Sequence, residues 1–488
     1  MVRSMGNTGK IVAISLLAFG CVAETAIGAV IPLSPTGNEV VRLLPEAQRR
    51  IMSFPTYDIR LDALMKDREG GGKAFGDDDS RWRVSTPLVL VWRTTDGEGG
   101  PWRIALGEDG SFANASVWWV EGLEPDVATN GLQTWKWTVP RPNLKLGRRY
   151  CWKVWSDAKC KEAHAHGSMM GGKCAICGQV SKVRESSVAS FSTDVQPPRW
   201  ISLEGRVKNI RDLGGWKTLD GRRVKQGMAF RGQGLNDNSP NGEAAGRNRL
   251  MVEDVIYLKE ILGIKTDLDL RNERETAKMK LSPIGDGVSY IQRAAPLYDG
   301  IFKAVDVPDW AGAEGKQAMA ANFRVFCDRK NYPIYFHCIG GADRTGSLAY
   351  VLNGVLGVSR HDLEVDWEST FYPELPEMKE DYTGPKYWRR KQYFDEGFGK
   401  YGDEKTPWNE RIRLYLIDCG VTDEEITTFR DIMLEPAESP ASSISRMESR
   451  TKDATRDPGL FGDYWWANRF LSRSRFVGKM KGRSLLIQ

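Results

Sequence analysis

Two textures of apolar patterning divide the chain. Between residues 81 and 196 the apolar positions come in short runs, at 88–92, 102–106, 117–120, 133–139, 150–155 and 188–193, with turn residues between them. Runs of that length, broken that regularly, predict short strands and an all-β sandwich. From about residue 197 the texture changes. The runs at 228–231, 264–270 and 334–336 read as strands, while 246–262, 317–330, 347–356 and 422–433 are long enough for helices. Strands alternating with helices predict an α/β domain with a mainly parallel central sheet flanked by helices. A hairpin is expected to turn at Asp220-Gly221. Thr422 is the expected N-cap of the last helix, with acidic residues in its first turn.

The remaining stretches set the boundaries. Residues 1–28 read as an export signal: Arg3 and Lys10 make a basic start, 11–22 is apolar but short for a bilayer, and Ala26-Ile27-Gly28 is a small-residue cleavage site. Cys21 is the alternative, as a lipidation site. Residues 29–80 form an N-terminal segment, with an amphipathic helix expected over 40–52 and a flexible linker over 70–79. The β-rich domain takes 81–196, the α/β domain 197–436, and a basic tail 437–488. Residues 445–488 carry ten Lys or Arg against four Asp or Glu, so a solvated tail is the expectation there.

Composition adds three constraints. The net charge of +5 on 488 residues demands no nucleic-acid or membrane partner, and no run after residue 28 suits a membrane span. Nine of the 17 tryptophans fall between Trp82 and Trp155. They suit a sandwich core, with a glycan or protein platform as the alternative use. Cys160, Cys174 and Cys177 lie near His164 and His166. That spacing suits zinc, but in an exported protein a disulfide is expected, drawn from these three and Cys151. Seven cysteines remain after signal removal, and the odd one out is assigned to Cys338.

The chemistry gathers at residues 334–357. A short buried strand precedes Cys338, and an apolar helix follows Arg344, six positions on. Ile339, Gly340, Gly341, Ala342 and Asp343 lie between them. Small residues let successive N–H groups turn inward toward one anion, and a helix start adds positive potential there. Such a cradle favours a thiolate, the nucleophilic form of Cys338. Arg344 can hold two phosphate oxygens in its planar fork. Thr345 is placed to hydrogen-bond the departing thiolate. No metal or other cofactor is required, because the loop itself supplies the positive field.

The set Cys338-x5-Arg344-Thr345 resembles the signature of protein tyrosine and dual-specificity phosphatases. With Asn209-Ile-Arg-Asp-Leu-Gly-Gly215 and Asp269-Leu-Arg271, in that order, it is similar to the bacterial tyrosine phosphatase family that includes secreted mycobacterial tyrosine and lipid phosphatases. The resemblance spans roughly 200–435. It implies a phosphocysteine intermediate, and phosphorylated protein or a small phosphate ester as substrate. It also implies a general acid. Asp299 matches the family's proline-x-x-aspartate loop, Asp309 has the spacing of the acid loop in other cysteine phosphatases, Asp306 is a third option, and Asp343 lies beside Arg344. Asp269 is expected to buttress the sheet end. Ala342 stands where the family carries a lysine linked with phosphoinositide binding, which leaves the core chemistry untouched. Separately, Leu144-x-x-Gly147-x-x-Tyr150 resembles the corner of fibronectin type III domains. The reading is an exported, secreted or periplasmic, cysteine-dependent phosphatase. A small-molecule or inositol-phosphate phosphatase is the first alternative, and a non-catalytic phosphate- or glycan-binding protein the second.

Overall fold

The computed structural model describes residues 29–69, 85–95, 99–128, 132–156, 169–170, 173–174, 184–203, 207–235, 250–276, 279–295, 313–372 and 394–437. Residues 1–28, where an export signal is expected, the linker expected over 70–79, the Cys160–Cys177 cluster apart from short backbone pieces, and residues 438–488 lie outside the described residues. Met1–Glu435 forms one compact unit, and Pro436–Gln488 is a second.

Each of the six predicted β-runs forms a strand: β3 (Val89–Thr94), β4 (Trp102–Gly107), β5 (Ser116–Val120), β7 (Gln133–Thr138), β8 (Arg149–Ser156) and β12 (Ala189–Thr193). The N-terminal segment adds β1 (Val30–Ser34) and β2 (Val40–Val41), and β6 (Asp126–Val127) and β11 (Arg184–Glu185) are short additions. One sheet runs β1-β3-β7-β6, the other β2-β12-β8-β4-β5, with β11 beside β8. Strict alternation puts every second side chain of β3 and β8 inward. Leu90, Trp92 and Trp135 of the first sheet meet Trp102, Ile104, Trp152 and Phe191 of the second in one core. Trp102 touches Trp92 and Trp135 edge-on, with centroids 5.3 and 5.1 Å apart. At the predicted corner, Lys145 N–H donates to Tyr150 Oη at 2.8 Å. Two short strands, β9 (Met169–Met170) and β10 (Lys173–Cys174), pair with each other.

The sheet of the α/β region has the order β13 (Arg211–Asp212), β14 (Ala229–Gly232), β17 (Ile334–His337), β15 (Thr266–Asp269), β16 (Ser289–Gln292). All neighbours are parallel except β13 against β14, so the expected mainly parallel sheet is present. Its central strands β14, β17 and β15 are buried on both faces, including Arg231, Asp267, Asp269 and His337. Ile334 and Phe336 point into one core, Tyr335 into the other.

The helices are α1 (Glu46–Met52), α2 (Tyr57–Glu69), α3 (Val252–Ile256), α4 (Ala313–Val325), α5 (Asp343–Leu356), α6 (Arg360–Glu368), α7 (Trp408–Asp418) and α8 (Asp423–Met433). The structure corrects several sequence expectations. The helix expected over 40–52 is β2 followed by α1, because Pro45 sets the chain extended before the first helical turn. The helix expected over 246–262 is, within the described residues, α3 running into a π turn at Tyr257–Ile261. The α4 helix ends at Val325, and a separate 3-10 turn follows at Arg329–Asn331. Thr422 caps α8 as expected: Glu425 N–H donates to Thr422 Oγ1 at 3.1 Å, and Thr422 N–H to Glu425 Oε2 at 2.9 Å.

The cysteines also depart from expectation. Cys151, Cys327, Cys338 and Cys419 are all free thiols, so an odd count does not single out Cys338. Cys151 sits in register opposite Ser190 and Gly107, away from any sulfur partner among the described residues. Burial pushes the Cys327 and Cys419 thiols up to about 12.

Candidate active site

Strand β17 delivers Cys338 at its carboxyl end, in the middle of the sheet, and α5 leads away from the far end of the loop. The helix begins at Asp343, four residues earlier than the apolar pattern indicated, so Arg344 and Thr345 lie in its first turn rather than in the loop. An acidic residue there suits the positive helix end. Gly341 makes the turn possible. Its φ is +67°, and a Cβ there would stand 2.3 Å from the Gly232 carbonyl group of the neighbouring strand β14.

The loop's carbonyl oxygens are all held from outside. Cys338 O lies 3.2 Å from His337 Nδ1. Ile339 O accepts from Gly234 N–H at 2.9 Å. Gly340 O accepts from Asn209 Nδ2 at 3.1 Å, and Gly341 O from Arg231 Nη2 at 3.0 Å. A peptide whose carbonyl points outward turns its N–H the other way. The N–H groups of Ile339, Gly340, Gly341 and Ala342 donate to no partner among the described residues. Buried N–H groups without partners are rare, and several converging ones define an anion site.

This explains the Asn209-Ile-Arg-Asp motif. Asn209 adopts φ +58°, which turns its amide toward the loop. Arg211, fully buried, donates to Asn209 Oδ1 and, through Nε at 2.9 Å, to Asp366. Arg231 donates to the other oxygen of Asp366 at 2.6 Å. Asp366 therefore clasps two guanidiniums behind the cradle. Burial would raise its pKa, but the two arginines hold it below the usual carboxylate range. Asp212 accepts from Gly214 N–H at 2.8 Å, Gly227 N–H at 2.7 Å and Arg199, so it ties the motif's turn to the incoming linker.

The other sheet strands supply the far wall. Asp267 sits 2.9 Å from His337 Nε2. Asp269 buttresses the sheet end as expected: Arg271 grips it through Nε at 2.9 and 3.1 Å and Nη2 at 2.6 Å, and Tyr290 Oη donates to it at 3.0 Å. Arg344 is held by Glu275, with Nη1 and Nη2 each donating to one carboxylate oxygen at 2.8 Å. Burial alone would raise the Glu275 carboxyl, but the Arg344 hydrogen bonds and charge bring it below its ordinary value. Arg344 Nη1 also reaches Leu270 O, at 3.5 Å.

The predicted residues Cys338, Ile339, Gly340, Gly341, Ala342, Asp343, Arg344 and Thr345 are thus contiguous, running from the loop into the first turn of α5, all buried except the partly exposed Ile339 and Gly340. Thr345 Oγ1 is buried and makes no hydrogen bond among the described residues. Asp299, Asp306 and Asp309 lie outside the described residues. Sequence reasoning did not assign roles to Glu275, Arg231 or Asp366. Glu275 stands four residues beyond Arg271 and could have been sought as the partner of Arg344. Nothing in the local sequence of Asp366 marks it.

Against known proteins, residues 201–435 match the tyrosine phosphatase family. This supports a phosphatase family for the α/β region. A relative in Cupriavidus necator, carrying the provisional name tyrosine-protein phosphatase H16_A0669, is 27% identical over 205 residues, covering 37% of this chain and 69% of that protein. Among solved structures, the core catalytic domain of the PP-IP phosphatase SIW14 from S. cerevisiae is 15% identical and covers 38% of this chain and 91% of its own, at a TM-score of 0.22. A structure of the Siw14 catalytic core is 13% identical, with coverage of 41% and 95% and a TM-score of 0.21. Likeness at that level supports no conclusion about this chain.

Proposed function

We propose that the protein is an exported cysteine-dependent phosphatase that hydrolyses phosphate monoesters, with protein phosphotyrosine as its substrate class. The observation that carries this is the outward tethering of all four carbonyls from Cys338 to Gly341, which turns the loop N–H groups toward one point beside the thiol. The Cys338 thiolate attacks phosphorus in line, forming S–P as P–O breaks. The loop N–H groups and Arg344 take the charge on the equatorial oxygens. A carboxylic acid, assigned to Asp299 with Asp309 as its rival, protonates the leaving oxygen. The resulting carboxylate then accepts a proton from water as that water displaces the thiolate, releasing inorganic phosphate. Asp343, buried at the start of α5, is the acid if neither variant of the outer loop shows the effect. The N-terminal 28 residues act as the export signal, and the β-rich region, with its fibronectin type III-like corner, serves a glycan or protein ligand.

The test is turnover of phosphotyrosine and phosphoserine peptides and inositol phosphates, by wild type and Cys338→Ser. Phosphotyrosine turnover, abolished by the substitution while phosphate binding survives, is the expected result. Preference for inositol phosphates would move the substrate class and keep the mechanism. Turnover by Cys338→Ser at the wild-type rate would overturn the mechanism. In the same assay, Asp299→Asn should slow alkyl phosphates more than nitrophenyl phosphate, by roughly 10²–10⁴-fold where the proton is needed. That pattern in Asp309→Asn instead would reassign the acid.

A further inference from the structure

The family match begins at residue 201, yet the packing of the phosphate loop reaches back to the N-terminal segment. Leu44, Ile51, Met52 and Leu64 share one core with Phe336, Cys338, Ala342 and Trp367. Two polar routes run from the same segment to the loop's carbonyls.

The first starts at Gln48 on α1, which is fully buried. Trp200 Nε1 donates to Gln48 Oε1 at 3.3 Å. The Arg211 guanidinium lies over the Trp200 ring, 5.3 Å from its centroid. Arg211 donates to Asn209, and Asn209 holds Gly340 O. The second starts at Arg60 on α2, 1% exposed. Its Nε donates to Glu368 Oε2 at 2.5 Å, and its Nη2 to Glu368 Oε1 at 2.8 Å and Glu364 Oε2 at 3.3 Å. Its Nη1 donates to Phe54 O at 2.8 Å and lies 3.2 Å from His361 Nδ1. Glu364, Glu368 and His361 are on α6, the helix that carries Asp366. Asp366 sets Arg231, and Arg231 holds Gly341 O.

We propose that the α1–α2 arm is a working part of the catalytic unit, with Arg60 and Gln48 as positioning residues that hold the phosphate loop in its anion-binding form. This rests on the phosphatase reading of the site. The physics favours coupling over mere packing. Without Arg60 the carboxylates of Glu364 and Glu368 lose the buried counter-charge they share, Glu364 keeping its pair with the more exposed Arg360 at 3.1 Å, and buried carboxylates with less counter-charge move or draw in water. Either response shifts α6, and with it the one carboxylate that orients both guanidiniums behind the loop.

The arm is tested in the full chain with Arg60→Met, Arg60→Lys, Gln48→Leu and Asp62→Ala. Asp62 is an exposed control on the same helix, paired with Lys66. Turnover of nitrophenyl phosphate and inhibition by vanadate are measured together, with thermal melts to find a temperature at which each variant is folded. Arg60→Met is expected to lower kcat/KM and weaken vanadate inhibition by the same factor, on the order of tenfold. Arg60→Lys should recover part of both, Gln48→Leu should show about a threefold effect on both, and Asp62→Ala none. A loss of folded fraction alone would lower kcat and leave KM and the vanadate constant unchanged, so that pattern overturns the proposal. So does a vanadate constant within about twofold of wild type in folded Arg60→Met. If Arg60→Met does not fold, Gln48→Leu decides by the same criterion. Tungstate binding to the Cys338→Ser chain, with and without Arg60→Met, reads the cradle without any chemistry. A tungstate effect of Arg60→Met, together with no hydrolysis of any tested ester by the wild-type chain, would fault the phosphatase reading and leave the coupling standing.

Discussion

Between the two sheets of the β-rich region the interior is filled by Trp92, Trp102, Trp135 and Trp152, with Leu90, Ile104 and Phe191 among them. Behind the phosphate loop the buried space holds Arg211, Arg231, Arg271 and Arg344 with Asp269, Asp366 and Glu275. The first interior gains from every ring removed from water, and its partners are interchangeable within volume limits. The second gains little net stability from its ion pairs, since desolvation offsets much of the attraction. What it fixes is direction. Each guanidinium has an assigned carboxylate on one side and, for Arg231, a loop carbonyl on the other. The β-rich core is therefore a source of stability, and the loop shell a source of orientation.

Gly341→Ala is the strongest way to break that contrast. It adds one methyl group, yet the position has φ +67° and its Cβ would lie 2.3 Å from the Gly232 backbone. The loop must deform, and its N–H groups lose their common focus. The expected loss of turnover is on the order of 10³-fold or more, the scale of removing oxyanion donors together. Steady-state turnover read beside the melting temperature checks it. A large fall in melting temperature with turnover preserved in the folded fraction would show that the loop's shape is not what the chemistry needs.

Trp152→Ala should do the opposite. Trp152 is fully buried, and its Nε1 donates to Pro35 O at 2.8 Å. Truncation should cost about 3–5 kcal/mol of stability, measured by urea unfolding. Vanadate inhibition below the unfolding transition should stay at the wild-type value. A weakened vanadate constant in folded protein would show that the β-rich core also orients the loop.

Arg344→Lys sharpens the loop side alone. A lysine keeps the charge but loses the planar fork, and cannot meet both Glu275 oxygens and a phosphate with fixed geometry. Turnover should fall about 10²–10³-fold with little change in melting temperature. A change within about threefold would place Arg344 outside the chemistry.

The same contrast explains what was legible in the sequence. Strands β3, β4, β5, β7, β8 and β12 were visible because short apolar runs broken by turn residues are a local signal, carried by neighbours in the chain. Cys338 and Arg344 were visible because the loop that joins them is contiguous. The start of α5 was read four residues late, because Asp343, Arg344 and Thr345 are polar yet buried, and apolar patterning cannot register such positions. Asp366, Arg231 and Arg60 were missed for a related reason. Their partners lie 135 residues from Arg231 and 308 from Arg60, and an isolated charged residue on a helix or strand looks like a solvated one. The α2 helix was also missed, since its burial depends on a catalytic core that follows it by more than a hundred residues.

Glu275→Gln is the smallest change and tests the boundary between orientation and stability. The amide keeps the shape and can still accept from Arg344, but the bond is no longer between charges. Charge-assisted bonds exceed neutral ones by about 1 kcal/mol, so turnover should fall roughly fivefold. The pH dependence gives the more specific reading. The Glu275 pKa in the folded chain lies below its ordinary value. A depressed carboxyl contributes stability that is fully present above the unfolded value of about 4.3 and is lost as pH falls through the folded value. Wild type should therefore lose stability on acidification below about pH 4.3 more steeply than Glu275→Gln, and the two melting curves should converge toward acid. Parallel curves from pH 7 to 3 would mean that the Arg344–Glu275 pair contributes direction only, which would extend the rule drawn from Arg211, Arg231 and Asp366 to every ion pair around the loop.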